Sequence, residues 1–239
     1  VTYCRVRITE SPSGSWDGRG GAEVGEELIL AKDLLSDVLR HQVEVIEEFS
    51  GATLIGKAYR PLFPGAIDRG DSESAWTVVE ADFVTTTDGT GVVHTAVMYG
   101  EEDYNLGMQV GLPAQHTVGI DGSFVSGTHH LLDGRYVKDC DSDIIDYLSD
   151  EGMLYREHIY THDYPHCWRT DHPLLYYAMD SWFVRMTAVR DEILQHNSEV
   201  EWAPEWTGSK RMGEWLSNIK DWAISRERHW GTPIPVWIC

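Results

Sequence analysis

The sequence predicts an α+β protein: a strand-rich first part, an exposed β-ribbon, then a helical segment. Three observations predict it. Short apolar runs separated by Gly-, Asp- and Pro-rich turns fill roughly the first 130 residues. Pro, His and Tyr crowd residues 158–175, and apolar residues at helical spacing begin at Ser181. Eight of the ten tryptophans lie at or after Trp168, so the texture changes near residues 155–180.

In chain order, 27–31, 75–79 and 81–85 read as strands, being short apolar stretches between turn residues. Residues 33–40 read as a short helix capped by Asp33. Residues 103–110 read as a second helix stopped by Gly111. Residues 141–150 form a third, with Ile144, Ile145 and Leu148 on one face. An exposed β-ribbon is expected over 158–180. Phe183, Met186, Val189, Ile193 and Leu194 share helical spacing, as do Met212, Trp215, Leu216 and Ile219. Pro233 to Ile238 reads as a strand entered through prolines.

The 239 residues suffice for a sizeable core, with 42% hydrophobic and 24% charged residues. No run of about 18 apolar residues is present, so no membrane span is expected. Acids outnumber bases 39 to 19, a net charge of -20, which argues against a free-standing nucleic-acid binder. Cys4, Cys140, Cys167 and Cys239 are scattered and no leader peptide is visible; free thiols in the cytoplasm are expected. Val1 and the apolar run ending at Cys239 suggest a piece of something longer.

The nucleophile elbow, the P-loop and the complete dinucleotide fingerprint are absent. Gly89-Thr90-Gly91 has two of the fingerprint glycines, but His94 stands where the third belongs; by itself the stretch is a turn. His158, His162 and His166 are four apart, a zinc spacing on a helix, yet Pro165 interrupts any helix there. A histidine-rich metal hydrolase is one alternative. Cys167-Trp168-Arg169-Thr170 has the frame of a zinc knuckle with one thiolate missing; His166 or His172 would have to substitute. Asp88, Glu101, Glu102 and Asp103 gather around His94. Such a group serves acid–base chemistry, binds a cation, or is simply a solvated acidic turn.

Taken together, several segments resemble class I isoleucyl-tRNA synthetases. Thr86-Thr87-Asp88-Gly89-Thr90-Gly91-Val92-Val93-His94-Thr95-Ala96, followed by Tyr99-Gly100-Glu101-Glu102-Asp103-Tyr104, resembles the editing-site motif of that family. Gly56 through Pro64 resembles an editing-domain loop and strand. Thr161-His162-Asp163-Tyr164-Pro165-His166-Cys167-Trp168-Arg169 is similar to the ribbon returning to the synthetic core. Asp221 through Pro235, with Arg226-Glu227-Arg228-His229-Trp230-Gly231 at its centre, is similar to a core segment. The match covers nearly the whole chain in family order. The adenylate-forming HIGH and KMSKS signatures and the Thr-rich pocket strand are absent. Val97 replaces the usual Pro, and Thr170 the usual second Cys.

The resemblance implies an N-terminally incomplete, β-barrel-like editing domain over 1–157, a β-ribbon over 158–180 and, over 181–239, a helical segment leading into part of a Rossmann-type α/β catalytic core. It implies a part of an isoleucine-tRNA ligase that charges tRNA(Ile) with ATP and Mg in the whole enzyme. This region would hydrolyse mischarged valyl-tRNA(Ile), while the fragment alone forms no adenylate. Asp103 would grip the α-ammonium group and His94 would line the side-chain pocket. Gly89, Thr90, Gly91 and Thr95 would hold the substrate, as would Glu227, Trp230 and Gly231 in the core segment. Editing would need no cofactor and no metal ligand, and Cys167 lacks its zinc partner. The expected partners are tRNA(Ile), isoleucine and valine, around a cytoplasmic monomer. The alternative is an inactive piece with only a structural or tRNA-binding role.

Overall fold

The first strand, β1 (Thr2–Glu10), alternates apolar and polar residues, so Cys4, Val6 and Ile8 point inward and are fully buried. In this computed structural model, which describes residues 1–11, 19–226 and 231–238, β1 is the centre of a three-stranded antiparallel sheet. β2 (Glu27–Ala31) and β3 (Gln42–Ser50) flank it. Register places Val6 opposite both Leu28 and Val45. On the other face Arg5 pairs with Glu47 at 3.0 Å and Arg7 with Glu27 at 2.7 Å, charges matched across strands. Cys4, Val6, Leu30 and Leu39 form the core cluster, with Leu28, Leu35, Val43 and Tyr155 packed around it.

The chain forms two compact units, Val1–Ala178 and Met179–Cys239. In the first, the 33–40 helix is shorter than expected: a 3-10 turn (Lys32–Leu34) runs into α1 (Leu35–Val38). Asp33 is not its cap, because the turn starts directly off β2 at Ala31. α2 (Glu101–Val110) starts two residues before its expected position and ends at Gly111, which adopts the left-handed φ of +73°. Glu101, Glu102 and Asp103 all sit in its first turn, where the helix dipole favours negative charge. α3 (Asp141–Asp150) occupies its expected span.

Several strand expectations fail. Residues 75–79 contribute only one antiparallel bridge, Ala58 to Thr77, because Trp76 takes a φ of +56° and Ser74–Thr77 closes a turn. Residues 81–85 form no strand; Ala81, Asp82 and Phe83 instead line a cavity. The 158–180 ribbon reduces to a single bridge, His166 to Pro173, closed by Leu174 N–H to Pro165 O at 3.0 Å and Cys167 N–H to His172 O at 2.8 Å. Pro165 and Pro173 each remove a donor that a longer ladder needs. No closed barrel forms among the described residues: the sheet of three strands stays open.

In the second unit, β4 (Phe183–Val184) pairs antiparallel with β5 (Trp222–Ala223). Phe183 is thus in a strand, not in the expected helix. That helix is a 3-10 turn (Met186–Val189) continued by α4 (Arg190–Glu199). The next is a π-helical stretch (Thr207–Met212) running into α5 (Gly213–Ser217), which leaves Ile219 outside. Asp221 ties the two segments by accepting from the Thr187 N–H at 3.0 Å and hydroxyl at 2.7 Å. Residues 233–238 form no strand. Pro233 and Pro235 lack donors, and Trp237 is 87% exposed. The expected parallel Rossmann strand is therefore not found among the described residues, whose sheets are antiparallel throughout. The mixed α and β composition stands.

Candidate active site

The Gly89-Thr90-Gly91 turn is pinned to the sheet. Asp88 Oδ1 accepts from the Gly89 N–H at 2.7 Å, and the Thr90 hydroxyl bridges Val92. The Ala31 N–H donates to Thr90 O at 2.9 Å, and the Tyr3 hydroxyl donates to Gly91 O at 2.6 Å. Gly91 has a φ of +76° and is buried, and a β-carbon there would come within 2.6 Å of the Ala31 methyl. Only glycine serves this contact. Anchoring on this side leaves the Gly89 side of the turn exposed and fixed in position.

His94 is exposed, with its ring edge-on to Tyr59 at 6.5 Å. Tyr59 is held by its own N–H to Trp76 O at 2.9 Å. Thr95 is half-buried and Val97 is buried against Gly107 of α2. A β-carbon at Gly107 would lie 2.7 Å from a Val97 methyl, so the glycine makes room for the branched residue.

Asp103 stands in the first turn of α2 and folds back over Gly100, the residue before the helix. Burial pushes its carboxyl above the ordinary carboxylate range. The Ala96 amide pulls it down again, Glu102 raises it, and the neighbouring His94 lowers it. The structure thus brings His94 and Asp103 into one electrostatic neighbourhood, with the Ala96 amide between them in sequence. A half-desolvated carboxylate there is suited to a small cation. Tyr59, Ala96 and Gly100 belong to this neighbourhood too, and the sequence does not single them out. A glycine just ahead of three acids at a helix start is the one signal available for Gly100.

A cavity of about 730 Å³ opens on a different face of α2. Glu102, Asn105, Leu106 and Gln109 line it opposite Val78 and Phe83; neither His94 nor Asp103 does. Of the core-segment residues, Glu227 and Trp230 lie outside the described residues. Gly231 sits on an exposed stretch without secondary structure.

His158, His162 and His166 do not converge. Helical turns are absent over 158–166, and an extended chain sets residues four apart about 13 Å from each other. Among the described residues no three His, Cys, Asp or Glu side chains are grouped to hold a metal. Cys167 is a free thiol drawn down to about 7, chiefly by the Thr170 hydroxyl and then by the amides of Arg169 and Thr170. The frame of a zinc knuckle is here a thiol bonded to its own turn.

Residues 25–239 match the family of tRNA synthetases class I (I, L, M and V), and the chain belongs to that family. Its relatives are more particular. It is 46% identical over 215 residues to the isoleucine–tRNA ligase of Clostridium novyi (strain NT). Identity is again 46% to that of Clostridium acetobutylicum and 45% to that of Bacillus thuringiensis (strain Al Hakam), each over 215 residues. Each alignment covers 90% of this chain and 20% of the relative, so the chain spans about a fifth of the length of the curated relatives it matches.

Proposed function

We propose that this region is the editing part of an isoleucine-tRNA ligase, and that it hydrolyses valyl-tRNA(Ile). The whole enzyme would charge tRNA(Ile) with isoleucine in an ATP- and magnesium-dependent reaction. Isoleucine and valine differ by one methylene, which a hydrophobic pocket discriminates by only about 1–3 kcal/mol; this pair is the standard instance of the limit. A second, hydrolytic site removes the error.

The observation that supports this reading is the Asp103 carboxylate in the first turn of α2, close enough to His94 for their charges to interact. Asp103 would hold the α-ammonium group through a charge-assisted bond. His94, resting against Tyr59, would face the amino-acid side chain and exclude the larger one by bulk. The Gly89–Gly91 edge lets the ester come close to backbone. Water attacks the ester carbonyl, the acyl C–O bond breaks, and the departing ribose oxygen takes the proton. Free valine and intact tRNA result. No side chain forms a covalent intermediate, and positioning supplies the acceleration.

The 1–157, 158–180 and 181–239 assignments as editing domain, ribbon and partial core belong to the same proposal, as do the monomeric cytoplasmic state and the substrate contacts of Thr95, Glu227, Trp230 and Gly231. No helix among the described residues is long and apolar enough to cross a membrane. The test is deacylation of valyl-tRNA(Ile) against isoleucyl-tRNA(Ile) by the chain and by Asp103→Ala. Selective loss of valine, abolished in the variant while its circular dichroism is unchanged, is expected. A variant as active as the parent refutes the role of Asp103. A folded parent with no activity leaves the structural or tRNA-binding reading.

A further inference from the structure

Three elements meet around one imidazole. The His129 ring lies 5.3 Å from Phe63 of the 60–66 loop and 4.9 Å from Tyr147 of α3, centroid to centroid. Phe63 and Tyr147 are themselves stacked at 5.1 Å, and the Tyr147 hydroxyl donates to Leu62 O at 3.4 Å. All three rings are half-buried. His129 Nδ1 is buried and has no hydrogen-bond partner among the described residues. A second imidazole, His130, lies 4.4 Å from the first.

The turn that presents the ring is held by its own bonds. Asp133 Oδ2 accepts from the Gly127 N–H at 2.8 Å and Oδ1 from the His129 N–H at 2.9 Å. His129 O accepts from the Leu132 and Asp133 N–H groups at 2.8 and 2.9 Å. The charged groups that act on the ring are His130 and Asp133. The amides of Gly127, His129 and Thr128 hold the Asp133 carboxyl below the ordinary carboxylate range, so it stays ionised in mild acid. On the loop, Arg60 pairs at 2.8 Å with Glu151, just past α3. On α3, Asp143 pairs with Arg135 and Asp146 with Arg19, both at 2.7 Å, and Asp141 and Asp150 stand at its two ends. None of these carboxylates reaches His129 Nδ1.

We propose that His129 is a pH-sensitive latch: as a neutral ring it holds the 60–66 loop against α3, and on protonation it leaves that contact and frees the loop. A charged imidazole has two N–H donors, so Nδ1 would become a buried donor without an acceptor, next to a second imidazole. Burial is the largest influence on His129 and lowers its pKa; His130 lowers it further, and Asp133 raises it in part. The folded state therefore binds this proton less readily than the unfolded one. The contribution of the latch is full above the unfolded histidine value near about 6.5, and it is lost as pH falls from there through the folded value. Opening the contact gives Nδ1 back to water. The inference uses no part of the hydrolytic chemistry at Asp103.

The test is hydrogen exchange of the full chain, read by mass spectrometry at about pH 7.5 and about pH 5.5 and corrected for the intrinsic amide rate. Peptides covering 60–66 and 141–150 should lose protection by about fivefold or more in acid, while β1 keeps its own. His129→Phe fills the ring site without titrating, and its acid response should stay within about twofold. A parent whose loop shows no acid response overturns the inference. So does an equal response in His129→Phe, or a loss spread evenly over β1, which is global unfolding. The parent alone gives a second readout, should the variant fail to fold. Its His129 imidazole, followed by NMR, should titrate in step with the loop and below about 6.5. A ring that titrates at or above that value, or out of step with the loop, overturns the inference as well. Deacylation is not read in any arm, so this result and that of Asp103→Ala stand or fall separately.

Discussion

The Asp103 carboxylate lies over the α-carbon of Gly100: a β-carbon there would sit 2.5 Å from Oδ2 and 3.3 Å from Cγ. Gly100 has an extended backbone, φ -154° and ψ 143°, which any residue adopts. Glycine is therefore required for space and not for conformation. Gly100→Ala should rotate the carboxylate away while leaving α2 intact, since a flexible side chain yields easily. Valyl-tRNA(Ile) deacylation should fall about tenfold or more, as expected for misplacing a positioned group. Stability measured by urea unfolding should change by less than about 1 kcal/mol. Equal deacylation by parent and variant would separate Asp103 from the reaction.

Asp103 also sets a pH dependence. Burial is the largest influence and raises its folded pKa above the unfolded value. The folded state therefore binds the proton more readily than the unfolded one. This group favours folding below its unfolded pKa, and that contribution is lost as pH rises through the folded pKa. At neutral pH the ionised carboxylate is a slight liability to the fold. Asp103→Asn should thus be as stable as the parent or more so at pH 7 in urea titrations, and lose that advantage in acid. Its deacylation should nevertheless collapse, since an amide cannot pair with an ammonium ion. The acid limb of the parent's deacylation profile should lie above the ordinary carboxylate range near pH 4.

Gly91 and Tyr3 join the glycine turn to β1. Gly91→Ala meets both a φ of +76° and the Ala31 methyl, and should destabilise by about 1–3 kcal/mol. Tyr3→Phe removes only the 2.6 Å bond to Gly91 O and should cost about 0.5–1.5 kcal/mol. The two act on one contact, so the double variant should fall short of their sum. Urea unfolding of the three variants measures this. Strict additivity would mean that the turn is held elsewhere.

Local signals are legible in this sequence and tertiary ones are not. The α2 stop at Gly111 and the span of α3 follow from residues within one turn of each end. His94 and Asp103 are expected together because their motif is contiguous in sequence, and the structure sets them in one electrostatic neighbourhood. The 75–85 stretch misleads because β-branched residues promise a strand, whereas the Trp76 backbone and the cavity decide otherwise. A closed barrel and a parallel strand depend on partners distant in sequence, which a local apolar run does not specify. Tyr59 is invisible as a neighbour of His94, 35 positions away, since nothing local marks a ring contact.

Cys167 gives the last prediction. Its N–H donates to His172 O at 2.8 Å and its carbonyl accepts from the Asp171 N–H at 2.7 Å, so the turn that carries the thiol is fixed. The Thr170 hydroxyl and the amides of Arg169 and Thr170 favour the thiolate and bring the pKa to about 7. Cys4 and Cys140 are buried; burial pushes the Cys4 thiol up, and Cys140 Sγ donates to Tyr136 O at 3.3 Å. In a Cys239→Ser background, iodoacetamide should therefore modify Cys167 first, with a rate that rises to half its maximum near pH 7. Thr170→Val removes the largest of the lowering influences and should move that midpoint upward, toward the ordinary thiol value near about 8.5. The shift separates a thiolate held by its turn from one that is reactive merely through exposure. A midpoint unmoved by Thr170→Val would leave the hydroxyl without a role. First modification at Cys4 or Cys140 would contradict their burial. Peptide mapping of the alkylated chain from mildly acidic to mildly basic pH reads both outcomes in one experiment.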